Sequence, residues 1–456
     1  MMKVLFINAI NPHIEQEKRY PNLGLGYLAS YLRQHFGNDY FQFKIIDCNI
    51  EKSIDDFMPA IVCITATSQN FTLAKKYASA VKLRCLPVII GGSHISALPQ
   101  TLPKNIDVGV IGEGELTIVD IFKLFIKKNF FVSNDLSKIE GIVYWDRNKL
   151  FITSERKPIE PLDNIPFPAR DLLKVGKHAH IISSRGCPYK CVFCSSSHFW
   201  GRARYFSAEY VVEEIKELVF KYKVTLISFY DELMMADKER LKKIIELLKQ
   251  NDIIGKIKFT INARSNLINE DVVSLFKEMN VVSVFMGLES GSQRVLRYLK
   301  GNNVTVIEGI NAIKLLKVSN IAVSATFIIG SPNESEAEIL QTLKFIKSNR
   351  LDLVDVYVLT PFPGTPIWDY AKEQGLVSDN MEWELLNQYY FSSHKEGVVL
   401  SNTISKNRLH KLYCNFRIVA FWLNLKNILR NPFVIEIPRM LINKAFEKSK
   451  RVLLIN

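Results

Sequence analysis

Cysteine is scarce in this chain and unevenly spent: seven of 456 residues. Cys48, Cys63, Cys85 and Cys414 are scattered, which argues against a disulfide framework. The other three crowd into SSRGCPYKCVFCSSS, Ser183–Ser197, with no fourth cysteine beside them. A structural zinc site wants four ligands, usually two separated pairs, and that pattern is missing. No uncharged apolar run approaches the roughly 20 residues of a bilayer-spanning helix. The opening MMKVLFINAINPH has no small-residue cleavage site after its short apolar run, so it reads as a first strand, and a cytoplasmic protein is expected. RNA-binding signatures of the usual kinds are absent, and no nucleic-acid partner is expected. Acidic residues are outnumbered, 46 against 59 basic, leaving a net charge of +13.

What remains is ordinary for a globular α/β protein, with 48% hydrophobic and 23% charged residues. The length suggests two to four domains. Up to about residue 130, short apolar runs alternate with helical patterns. The runs are Lys3–Asn8, Phe43–Cys48, Ala60–Thr67, Pro87–Gly92 and Val108–Gly114. Such alternation predicts a doubly wound, flavodoxin-like parallel sheet over 1–135, with ligands at the carboxyl ends of its strands. Gly141–Thr153 reads as an appended β-hairpin, and PIEPLDNIPFPARDLL as a linker stiffened by four prolines; together they form a 136–175 connection.

Alternation resumes at His180. Six βα units over 176–390 predict a (β/α)6 partial barrel, too few for a closed eightfold one. The cysteine loop follows the first of these strands and so lies on the face where barrel chemistry sits. Residues 391–456 form a basic, mainly helical C-terminal segment. Phe416–Phe433 mixes large apolar residues with Arg417, Lys426 and Arg430, and Lys444, Lys448, Lys450 and Arg451 follow. A helix packed on the barrel is the commoner use of such a pattern; a peripheral membrane contact is the other reading.

Three thiolates spaced C-x3-C-x2-C suit an iron–sulfur cluster with one corner left open. Here the chain resembles the radical S-adenosylmethionine (SAM) enzymes. Cys187, Cys191 and Cys194 match the family's CPYxCxFC loop, with Phe193 at the aromatic position. The resemblance implies a [4Fe–4S] cluster whose free iron chelates SAM and whose electron yields a 5′-deoxyadenosyl radical. The cofactors carry that chemistry, and the protein orients and shields them. FMGLESGSQRVL resembles the family's fourth-strand segment, implying that Glu289 holds the ribose hydroxyls with Ser290 beside it. FIIGSPNESEAEI resembles the fifth-strand segment, with Gly330 and Pro332 near the adenine. Arg264 is expected at the SAM carboxylate. In FYDELMM, Asp231 and Glu232 replace the family's frequent Gly-Gly-Glu, leaving open which carboxylate holds the methionine amine.

PFPGTPIWDYAKEQG is typical of the subgroup in which a cobalamin-binding domain precedes the barrel. That resemblance implies corrin contacts at Thr65, Thr67, Ser68, Gly91, Gly92, Gly112 and Gly114. The D-x-H-x-x-G motif that ligates cobalt from below in many cobalamin proteins is missing, and His94 comes too late in the fold to replace it. The expected activity is methyl transfer from methylcobalamin to an unactivated carbon of a small-molecule or lipid-like substrate, with an electron donor such as flavodoxin or ferredoxin. A radical cyclisation or rearrangement without methylation is the alternative. A methylthiotransferase, which needs a second cluster that Cys48 and Cys63 are not placed to hold, and a corrin carrier rank lower.

Overall fold

The computed structural model describes residues 1–11, 17, 21–386 and 397–428. Arg430, Lys444, Lys448, Lys450 and Arg451 of the basic segment lie outside the described residues. The chain divides into two compact units. One comprises Met1–Ile257 and Thr360–Leu400; the other comprises Lys258–Leu359 and the described residues from Ser401 onward.

The first unit opens with β1 (Met2–Ala9), β2 (Phe41–Ile46), β3 (Ile61–Ala66), β4 (Val88–Gly91) and β5 (Val108–Val110). They are followed by β6 (Ile142–Asp146) and β7 (Lys149–Ile152), and the sheet order is β2-β1-β3-β4-β5-β6-β7. The first five strands are parallel, and β6 and β7 form the expected antiparallel hairpin on the β5 edge. Strands such as VLFI and IVCI are buried residue after residue, because helices cover both faces of a parallel sheet. Asn22 starts the Leu23–Phe36 helix by accepting from the Leu25 N–H at 3.0 Å, and its amide donates to Asn8 Oδ1 at 2.8 Å. One side chain therefore fixes both a helix start and the end of β1.

The barrel begins with β8 (His178–Ile181), parallel to β11 (Leu226–Phe229). The sequence predicted a first strand over His180–Ser184 running straight into the cysteine loop. The chain instead leaves the sheet after Ile181 and forms β9 (Ser184–Arg185), which pairs antiparallel with β10 (Arg204–Tyr205). The cause is Asp231. It accepts from the Ser183 N–H at 2.6 Å, from the Ser183 hydroxyl, and from the Ser184 hydroxyl at 2.8 Å, which pulls this segment out of register.

The second unit carries β12 (Lys258–Ala263), β13 (Val281–Glu289), β14 (Ala322–Ile329) and β15 (Leu353–Val358), all parallel and paired in chain order. The first unit thus contributes two parallel strands of the half-barrel, β8 and β11, and the second unit four. The Lys406–Ile428 helix packs Leu409, Leu412, Tyr413, Phe416 and Ala420 inward against β15. Asn424 clamps it there, accepting from the Val354 N–H at 2.8 Å and donating to the Val354 carbonyl at 3.0 Å. Among the described residues no helix is long and apolar enough to cross a membrane.

Candidate active site

Two cavities open at the carboxyl ends of the first unit's strands, of about 660 and 340 Å³. Thr67 and Ser68 border the larger, Thr65, Gly91, Gly92 and Gly114 the smaller, and Gly112 both. All seven residues expected to meet a corrin are thus brought to one end of one sheet. Gly92 has a further reason to be glycine. Its φ is +104°, and a Cβ would lie 2.5 Å from the Ala66 carbonyl oxygen.

His94 is fully buried between the ring of Phe71, at 3.7 Å, and the edge of Trp383, at 4.4 Å. The Thr101 hydroxyl donates to the Leu98 carbonyl, so it accepts from His94 Nε2–H at 3.0 Å. That tautomer leaves Nδ1 to accept the Ser68 hydroxyl proton at 3.1 Å. Burial first, then Lys75, hold the imidazole neutral, with its pKa pushed down to about 3. Both ring nitrogens are thus engaged inside the domain, by Ser68 and Thr101.

The cysteine loop is ordered by its own backbone. The Cys194 N–H donates to the Cys191 carbonyl at 3.2 Å, and the Ile367 N–H reaches the Val192 carbonyl at 3.1 Å. Burial raises the pKa of Cys187 and Cys194; opposing it, the Tyr189 N–H points at one sulfur and those of Ser196 and Ser197 at the other. Each of these two thiols also feels the charge of Cys191 and of Glu232. Among the described residues no three His, Cys, Asp or Glu side chains close around a single point that could hold one metal ion. A cubane asks for something else: three thiolates on three separate irons, with N–H donors at the sulfurs. Half-buried Phe193 stands in the same loop.

The structure separates Asp231 from Glu232. Asp231 is buried, and both its oxygens are taken by Ser183 and Ser184. Glu232 lines the smaller cavity and accepts from the Ser196 hydroxyl two residues after Cys194. Burial raises its pKa, and the Gly186 N–H acts against that shift.

In the second unit, Glu289 ends β13 with φ +59°, in the left-handed region that non-glycine residues other than Asn and Asp seldom adopt. Its carboxyl is buried, which raises its pKa against the pull of Lys300 and Arg264. Lys300 Nζ lies 3.3 Å from Glu289 Oε1 and donates to the Gly287 carbonyl at 2.5 Å. Arg264 donates to the Lys300 carbonyl at 3.0 Å. Lys300 was not singled out from the sequence; its only signal is a basic residue closing the helix after GLESGS. Ser290 is committed internally, to Thr342 at 3.1 Å and to the Ser292 N–H at 3.1 Å. Gly330 leaves room that Leu409 fills, since a Cβ there would lie 2.8 Å from its Cδ2, and Pro332 is buried beside it.

Four further charges escaped the sequence reading. Arg185 pairs with Glu115 and, at 3.3 Å, with Glu113, while Arg204 pairs with Glu113. Burial would raise the Glu115 carboxyl, but Arg185 and Arg204 outweigh it and hold it below the usual range. Charges flanking IGEGE and the first cysteine were visible in the sequence; their pairing across about 70 residues was not.

The residues present fit the two cofactor sets that the domains imply. Three mutually sensed thiols with N–H donors suit a cluster, and glycine- and hydroxyl-lined cavities at strand ends suit a corrin. Comparison with known proteins agrees. Residues 14–122 match the B12 binding domain and residues 181–346 the Radical SAM superfamily. The chain is 34% identical to an uncharacterized methyltransferase of Pyrococcus horikoshii, over 84% of this chain and 86% of the relative. It is 26% identical to the anaerobic magnesium-protoporphyrin IX monomethyl ester cyclase of Cereibacter sphaeroides, over 84% of this chain and 66% of the relative. Its fold is that of the radical S-adenosylmethionine methyltransferase TsrM of Kitasatospora setae, solved with cobalamin and a [4Fe-4S] cluster. The TM-score is 0.70 at 15% identity, covering 92% of this chain and 89% of that one. The chain belongs to the radical SAM superfamily, among the cobalamin-dependent enzymes whose B12-binding domain precedes the radical SAM domain, and its cofactors are a [4Fe–4S] cluster, SAM and cobalamin.

Proposed function

We propose that this chain is a methyltransferase that acts on an unactivated carbon of a small-molecule or lipid-like substrate. One observation carries the reading. The cavity bordered by Thr65, Gly91, Gly92 and Gly114 is also bordered by Arg185 and Glu232, one residue group from the corrin side and one from beside the cluster loop. A methyl donor and a radical generator would therefore share one chamber. When bound, the cluster supplies the electron that splits SAM, and cobalamin supplies the methyl group.

The chain's own residues do the rest. Cys187, Cys191 and Cys194 hold the cluster. Glu232 holds the methionine amine, and Arg264 the carboxylate. Glu289, kept in place by Lys300, takes the ribose hydroxyls. Phe193, Ser290, Gly330 and Pro332 shape the surroundings of the nucleoside. Apolar Leu25, Leu28 and Ile182 keep water from the chamber. The substrate loses a hydrogen atom to the deoxyadenosyl group and gains a methyl group at the same carbon. Each turnover would consume two molecules of SAM, one leaving as 5′-deoxyadenosine and methionine and the other as S-adenosylhomocysteine, and would take two electrons from a donor such as flavodoxin or ferredoxin.

The similarity to a cyclase favours a second reading, radical cyclisation without methyl transfer. Anaerobic reconstitution with iron, sulfide and hydroxocobalamin separates the two. Retained corrin absorption after desalting, with 5′-deoxyadenosine and S-adenosylhomocysteine formed in equal amounts, supports methylation. Deoxyadenosine without S-adenosylhomocysteine supports cyclisation. Absence of a cluster band in the wild type would sink both.

A further inference from the structure

The structure assigns to Arg185, with Glu115, Glu113 and Arg204, the task of coupling the two cofactors: we propose that cobalamin is held more tightly when the cluster is present, and the cluster more tightly when cobalamin is. The inference rests on the reading of the Gly112–Gly114 loop as a corrin contact.

That loop, IGEGE, follows β5 and turns two glutamates inward. Arg185 Nη2 donates to Glu115 Oε1, and Arg185 Nη1 lies 3.3 Å from Glu113 Oε2. Arg204, on the paired strand β10, donates through Nη2 to Glu113 Oε1 and through Nη1 to the Ile159 carbonyl at 2.8 Å. The Ile159 N–H returns to Glu113 Oε2 at 3.2 Å. The side chains of Arg185 and Arg204 are 5% and 3% exposed, and those of Glu115 and Glu113 6% and 10%. The guanidinium of Arg185 also lies over the rings of Trp200, at 5.1 Å, and Tyr27, at 5.8 Å. Two cations and two anions thus balance away from water, where an unpaired charge is strongly disfavoured. If one member moves, the others must follow.

Arg185 is two residues from Cys187, and the link between them is stiff. Gly186 sits at φ +86°, and a Cβ there would lie 2.7 Å from the Arg202 carbonyl oxygen. Its N–H points at the Glu232 carboxylate. A corrin that fixes the Gly112–Gly114 loop fixes Glu113 and Glu115, hence Arg185, hence the backbone entering the first cluster ligand. Linkage makes the effect reciprocal, and couplings of this kind amount to about 5- to 150-fold.

The test measures hydroxocobalamin affinity of the full chain by anaerobic equilibrium dialysis, with and without cluster reconstitution. The wild type should bind about tenfold more tightly with the cluster. The paired variant Glu115→Gln/Arg185→Met removes one cation and one anion together, and in it the ratio should fall to about one while both cofactors still bind. A purely structural role would weaken both affinities and leave the ratio unchanged. If the pair fails to fold, Arg185→Lys, which keeps the charge but loses the forked geometry, should lower the ratio at least twofold. A ratio of one in the wild type, or a wild-type ratio in whichever variant folds, overturns the proposal. A wild type that binds no hydroxocobalamin with or without the cluster overturns the cobalamin-site reading, and this inference with it.

Discussion

Glu289 and Lys300 face each other at 3.3 Å with both side chains 6% exposed. Glu289 lies at the end of a strand with left-handed backbone, and Lys300 lies in the last turn of the helix that follows. Lys300→Met would leave the carboxylate buried without its nearest cation, and breaking a buried pair on one side costs about 3–5 kcal/mol. Unfolding by urea should show a loss of that order, and equilibrium dialysis should show weaker SAM binding. The double variant Glu289→Gln/Lys300→Met should recover most of the stability and none of the affinity. Full SAM affinity in the double variant would remove Glu289 from the site.

Asp231 and Glu232 are neighbours with different employment. Asp231→Asn replaces an oxygen that accepts from Ser183 and Ser184 with a donor, so stability should fall by about 2 kcal/mol. Glu232→Gln keeps an oxygen for the Ser196 hydroxyl and should cost about 1 kcal/mol or less. Yet it should lose most SAM binding. Reversed phenotypes would hand the methionine amine to Asp231.

These contrasts show what the sequence could and could not carry. The cysteine loop, the glycines at strand ends and the hairpin on the β5 edge are local patterns, so their residues could be placed without coordinates. The contrast in surroundings between Asp231 and Glu232 was not local. It turned on Ser183 and Ser184, nearly fifty residues earlier, which draw one carboxylate inward. Lys300 was hidden for a similar reason: a lysine closing an amphipathic helix looks solvated until the turn after β13 folds beneath it. Gly330 was legible as a glycine at a strand end, but the approach of Leu409 to it appears only on folding. The same holds for Glu115 and Arg185, whose charges were readable and whose partnership was not.

Glu334 should leave a pH signature. It is fully buried, its Oε2 accepts from the Gly330 and Ser331 N–H groups at 2.7 and 2.9 Å, and its Oε1 has no hydrogen-bond partner among the described residues. Burial, the largest influence, pushes its pKa up to about 7 from an ordinary 4.5. Between those values the folded protein keeps a proton that the unfolded chain has released. Stability therefore falls as pH rises through the window, by up to about 3 kcal/mol. Glu334→Gln has no such proton. Urea unfolding at pH 5 and pH 8 should find the variant gaining on the wild type at the higher pH; parallel profiles would contradict the assignment.

His94 should act in the opposite direction. Its pKa is pushed down to about 3 by burial and by Lys75, while the unfolded chain titrates at its ordinary 6.5. The folded imidazole stays neutral across that interval and the unfolded one gains a proton. The contribution is therefore complete above about pH 6.5 and is lost as pH falls toward 3, by up to several kcal/mol. His94→Gln removes the titration, so the stability difference between wild type and variant should shrink as pH is lowered from 7 to 4. The same substitution frees the Ser68 hydroxyl proton that His94 Nδ1 now accepts. Ser68 would then no longer be fixed as an acceptor at the larger cavity, and hydroxocobalamin affinity should drop about three- to tenfold, the worth of roughly one hydrogen bond. Unchanged corrin affinity alongside the altered pH profile would make His94 a core residue only, with no hold on the site.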